Sequence, residues 1–135
     1  MTNEERTSAV ELLSKVPLFA GCEAPDLAQL AASASAITFE PADVLCEEGA
    51  ESPECFVVAE GEALVTMAGK VVALRGPHQV VGERGPLEGR PRMATVMART
   101  TLRAYAIPRS ALVDVMVGSA TAEAGMRSEL RRRYG

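Results

Sequence analysis

Between Val81 and Ala98 the sequence VGERGPLEGRPRMATVMA sets a glycine turn, a carboxylate, a helix start and a guanidinium within reach of one another. Gly82 lets the backbone take a conformation that other residues resist. Gly85 followed by Pro86 reads as the opening of a helix, where the missing N–H of proline costs little. The unpaired amides and partial positive charge of such an opening attract a phosphate. Arg92 adds a planar fork of donors matched to two phosphate oxygens. Glu83, once ionised, only accepts hydrogen bonds, which suits a ribose hydroxyl and not a phosphate. The two charges would sort the two ends of one sugar phosphate.

Around this segment the periodicity predicts a single domain over residues 1–135, mainly β with flanking helices. Residues 1–35 read as two helices. Thr2 stands three residues before Glu5 as in a capping box, and Ala9, Leu12, Leu13 and Val16 share a helical face, which predicts a helix over 3–15. Pro17 stops it, and Leu27, Leu30, Ala31 and Ala34 mark a second, short helix. From Ile37 the period changes to two, at Ile37 and Phe39, Phe56 and Val58, and Leu64 and Thr66. Turns are expected at Glu48-Gly49, Glu60-Gly61 and Ala68-Gly69, and further strands at 71–74, 80–81, 93–98 and 102–107. This spacing predicts an antiparallel β-barrel or jelly roll over 36–107, with residues 81–98 inserting one short helix that Gly89 and Pro91 close. Residues 109–133 read as C-terminal helices. Ser110–Val117 is the first, and Gly118-Ser119 breaks it. The last carries a stripe of Ala122, Met126, Leu130 and Tyr134, with Glu123–Arg127 and Glu129–Arg133 as pairs four residues apart.

In order and spacing, Gly82, Glu83, Leu87, Pro91, Arg92, Ala94, Thr95 and Val96 resemble the phosphate-binding cassette FGELALxxxxPRxATV of cyclic nucleotide-binding domains. That family includes catabolite-activator-type regulators, cyclic-nucleotide-dependent kinases and cyclic-nucleotide-gated channels. The likeness extends through LLSKVPLF, FEPADVLCEEG and FVVAEGEALV to the terminal helices. It implies a double-stranded β-helix and a non-catalytic sensor, with ligand-binding residues Gly82, Glu83, Arg84, Gly85, Arg92, Met93 and Ala94. In the family the amide at the position of Gly85 meets the phosphate. Met93 replaces the threonine or serine that reaches phosphate or guanine in some relatives, so the resemblance favours cyclic AMP as ligand, with cyclic GMP as the alternative. No catalytic residue, metal or further cofactor is implied. The equivalent of the last helix swings over the base or pairs with a partner subunit, which makes the C-terminal helices the expected contact to a protein partner or second copy. Tyr134 and the arginines beside it are candidates to cap the base. Three departures stand out: Arg84 and Pro86 occupy positions that are usually apolar, and Ala50 follows the Glu-Gly turn where relatives carry an acid. They keep open an alternative, a domain that retained the fold as an interaction or assembly module without binding nucleotide.

The rest of the chain argues against other classes. Cys22, Cys46 and Cys55 are odd in number and lack metal-ligand spacing, so reduced thiols acting as core filler are expected. With His78 as the lone histidine, neither a histidine-based metal centre nor a nucleophile–histidine pair at a recognisable motif spacing can be assembled. No run approaches a membrane span and the polar start MTNEERTS is unlike a signal peptide, so a cytoplasmic protein is expected. No helix-turn-helix follows Arg133, so direct DNA binding is not expected. Residues 1–62 hold thirteen acidic and two basic side chains, net −11, and residues 63–135 five and twelve, net +7. The basic half carries the cassette, as an anionic small ligand would require.

Overall fold

A computed structural model describes all 135 residues. Helix α1 (Asn3–Leu13) starts where Thr2 Oγ1 accepts the amide of Glu5 at 3.1 Å. Pro17 ends the segment and opens a 3-10 turn, Pro17–Phe19. Helix α2 (Ala24–Ser33) is entered through a capping box in which Asp26 Oδ2 accepts from the Glu23 amide at 2.9 Å.

Eight strands follow: β1 (Ser35–Phe39), β2 (Val44–Cys46), β3 (Glu54–Glu60), β4 (Ala63–Met67), β5 (Lys70–Arg75), β6 (Val80–Val81), β7 (Thr95–Ala98) and β8 (Leu102–Pro108). They form two antiparallel four-stranded sheets, in the orders β1-β8-β3-β6 and β2-β7-β4-β5. The expected jelly roll is therefore present. Strand β3 shows how one sequence serves two layers. Phe56 and Val58 point between the sheets with Leu45, Val96 and Leu102, while Cys55 and Val57 point outward into a second core formed with the helices. Phe56 meets Phe39 edge-on, with ring centroids 5.8 Å apart.

The connection from β6 to β7 passes from the first sheet to the second, and the predicted cassette is that connection. Its helix α3 (Arg84–Glu88) ends at Gly89, whose φ of 68° forms a left-handed cap. Helix α4 (Arg109–Gly118) follows β8 directly, and α5 (Ala120–Tyr134) begins at Ser119, whose side chain accepts from the Ala122 amide. Ala122, Met126 and Leu130 are buried, as their spacing predicts. Helix α5 packs on the Pro17–Phe19 turn and α4, with Gly125 so close to Gly21 that a Cβ on Gly125 would stand 2.9 Å from the Gly21 backbone. No helix is long and apolar enough to cross a membrane.

Candidate functional site

All seven residues singled out in the cassette line one cavity of about 190 Å³: Gly82, Glu83, Arg84, Gly85, Arg92, Met93 and Ala94. Val65, Val72, Val80 and Val96 give it apolar lining. Arg75, Arg133 and Tyr134 also line it.

The turn at Gly82 has φ +71°, and a Cβ there would stand 2.3 Å from Arg92 Nη1. Only glycine satisfies both the backbone and the guanidinium. Arg92, 6% exposed, lies inside the roll, donating through Nη1 to the Gly82 carbonyl at 2.9 Å and through Nη2 to Glu54 Oε1 at 3.4 Å. Its guanidinium is 5.9 Å from the centre of the Phe56 ring. Two backbone bonds of 2.8 Å, from the Arg92 amide to the Ala50 carbonyl and from the Gly49 amide to the Arg92 carbonyl, tie it to the β2–β3 loop. Gly85 rests on the same loop, where a Cβ would meet Ser52 Oγ at 2.2 Å. Ser52 Oγ is itself buried without a hydrogen-bond partner.

A surface pairing of Arg92 with Glu88 is thus excluded, because Glu88 pairs with Arg84 and Arg90 while Arg92 is buried. Glu54 was not singled out in the sequence. It lies four residues after Ala50 and supplies the acidic partner of Arg92.

Glu83 is 2% exposed. Its Oε1 accepts from Arg133 Nη1 at 2.8 Å and from the Tyr134 hydroxyl at 2.5 Å, both from the last turn of α5. The expected Glu129–Arg133 pair is absent for this reason: Glu129 pairs with Arg132, and Arg133 turns into the cavity. Burial first, then the adjacent Glu83 carboxylate, pushes the Tyr134 phenol above its ordinary range, so it is a neutral donor. Tyr134 is 41% exposed, and its hydroxyl reaches Glu83 at the cavity. Arg84 stacks on that ring with its guanidinium 4.7 Å from the centroid. Cys46, on the cavity wall, is pushed up to about 11, mainly by burial and against the pull of Arg92. It is a neutral apolar lining residue at physiological pH.

Pro86 contributes through its carbonyl, which accepts from Arg109 Nε at 2.9 Å and so joins the cassette to α4. His78 sits in a turn with φ 70°, and no group of three His, Cys, Asp or Glu side chains is arranged to hold a metal.

A family model described as the cyclic nucleotide-binding domain matches residues 36–119. The type II regulatory subunit of cAMP-dependent protein kinase from Drosophila melanogaster is 26% identical over 129 residues, which is 96% of this chain and 34% of that protein. The chain thus spans about a third of the length of that relative. Among solved structures, the sensor domain of the transcriptional regulator DNR from Pseudomonas aeruginosa superposes with a TM-score of 0.86 at 15% identity, covering 96% of this chain and 91% of that one. The regulatory subunit of a cAMP-independent protein kinase A from Trypanosoma cruzi, bound to guanosine, gives 0.82 at 24% identity, covering 87% and 42%. At these identities the two superpositions establish the fold.

Proposed function

The chain belongs to the cyclic nucleotide-binding domain family, and from that premise we propose that it is a single, non-catalytic sensor domain whose cavity binds a cyclic nucleotide, cyclic AMP in preference to cyclic GMP. The observation that carries the reading is the pairing of two buried opposite charges on one cavity, Arg92 and Glu83, with no other charged residue of the chain buried. Burying charge is costly unless it is used or compensated. Arg92 takes the cyclic phosphate with donors not engaged by Gly82 and Glu54, and Glu83 takes the ribose 2′-hydroxyl. Gly82 and Gly85 let the cassette backbone approach the phosphate. Met93 and Ala94 wall the ligand without adding a hydroxyl for guanine, which is what favours the adenine nucleotide. The cAMP-dependent name of the Drosophila relative points the same way.

Output follows from α5. Its last turn lies on the ribose end of the cavity, so ligand alters how α4 and α5 pack and, through them, contact with a protein partner or second copy in the cytoplasm. A ligand shifts such an equilibrium only by its differential affinity for the two arrangements.

Calorimetric titration tests the reading. Cyclic AMP should bind at one site per chain, more tightly than cyclic GMP. Absence of binding by both would leave the domain as an assembly module.

A further inference from the structure

The state of Glu83 supports a step beyond ligand binding, and it rests on the reading above. The carboxylate assigned to the ribose is already engaged: its Oε1 accepts two donors, Arg133 Nη1 and the Tyr134 hydroxyl. With two lone pairs, that oxygen has no room for a third donor. Glu83 is 2% exposed and lines the cavity beside Arg133 and Tyr134, so a ribose hydroxyl that approaches Oε1 competes with both donors of the last turn of α5.

Arg84 explains why the turn stays in place. Its guanidinium lies 4.7 Å from the centre of the Tyr134 ring, its Nε is anchored by Glu88 Oε2 at 3.0 Å, and its Nη1 donates to Met93 Sδ at 3.2 Å. The side chain is 22% exposed, so the cation meets the ring in a partly desolvated setting where such contacts gain strength. All the polar anchors of Arg84 come from the cassette. Its only contact outside the cassette among these is the ring that closes the cavity.

We propose that Arg133 and Tyr134 form a built-in latch on Glu83, displaced by the ligand's ribose hydroxyl, and that Arg84 is the positioning residue that holds the latch shut. Arg84 acts on the lid and not on the phosphate. Affinity is then the strength of the ligand's own contacts reduced by the cost of opening the latch. The chain trades tightness for a ligand-dependent release of the end of α5.

Two substitutions separate latch from scaffold. Tyr134→Phe keeps the ring and deletes the donor, and Arg84→Leu keeps bulk and deletes the cation. In ligand-free protein both should speed amide hydrogen exchange over residues 128–134 while leaving β3 unchanged. In titrations with cyclic AMP both should bind roughly three- to tenfold more tightly than wild type, the worth of one hydrogen bond. Arg84→Lys, which keeps a cation, should fall between wild type and Arg84→Leu. Unchanged exchange in the free variants overturns the latch whether or not nucleotide binds. Faster exchange with equal or weaker affinity overturns displacement, and means that the ribose uses Oε2 while the turn stays closed. If Tyr134→Phe binds cyclic AMP and wild type does not, the latch is the block. If none of the proteins binds it, the nucleotide reading and the displacement step fail together, and the exchange measurement still decides whether Arg84 holds the turn.

Discussion

The two charged ends of the cavity are built in opposite ways. Arg92 is held from within the roll, by the Gly82 carbonyl, by Glu54 on β3 and by two backbone bonds to the β2–β3 loop. Glu83 is held by side chains 50 and 51 residues further along the chain, on the terminal helix. One end is held by the roll itself, and the other by two side chains of the terminal helix, the groups proposed to leave when ligand binds. A fixed donor set limits the ordering cost of binding, whereas an exchangeable one converts binding into movement. In the proposed function, phosphate recognition and signal output fall to different ends of one ligand.

Removing the fixed end gives the largest expected effect. Arg92→Ala should weaken cyclic AMP binding by roughly ten- to hundredfold, as expected for loss of a charge-assisted hydrogen bond. Folding should survive, because the Glu54 side chain is one-third exposed and can turn to water. An unchanged dissociation constant in the folded variant would take Arg92 out of the site.

Distorting the turn beneath Arg92 comes next. Gly82→Ala puts a side chain at φ +71° and into the guanidinium, which should lower stability by about 1–3 kcal/mol. Thermal unfolding reads this directly, and a melting temperature equal to wild type would show that the turn relaxes freely.

At the exchangeable end the effect should be smaller and selective. Wild type should bind 2′-deoxy cyclic AMP roughly fivefold more weakly than cyclic AMP, since one hydrogen bond is lost. In Glu83→Ala that gap should close. Because the same substitution removes the anchor of the latch, the overall loss of affinity should stay below that of Arg92→Ala. Equal binding of both ligands by wild type would contradict the ribose role.

The weakest effect concerns the thiol on the cavity wall. Burial pushes Cys46 and Cys22 from about 9 in the open chain up to about 11. The folded state therefore holds these protons more tightly, its stability is complete below pH 9, and it declines as pH rises toward 11. Melting temperatures measured across that window should fall, and less steeply for Cys46→Ala. A flat profile would mean that the wall admits water.

The two charges themselves were far more legible in the sequence than the groups that hold them. Gly82, Glu83 and Arg92 lie within eleven residues, so local turn chemistry and one motif bring them together, and the strands on either side show period two. Strand β2, three residues long with a register shift between Val44 and Cys46, is too short to show alternation. Glu54 escaped because its role depends on the meeting of β3 with the cassette 38 residues away. Arg133 was expected to bond Glu129 by the helix rule of four. Arg132, three residues from Glu129, takes that partner, which frees Arg133 for a tertiary contact no local rule describes. The close approach of Gly21 and Gly125 was equally invisible, since a glycine that makes room for another backbone looks like any other until the chain folds. It holds the first half of α5 close to the turn after α1, while the last turn is held by its contacts to Glu83.

Amide hydrogen exchange with and without saturating cyclic AMP tests this division most directly. The account predicts slower exchange across residues 81–98, faster exchange across 128–134, and little change at the Gly21–Gly125 contact. Slower exchange at both ends, or a terminal turn indifferent to ligand, would contradict it.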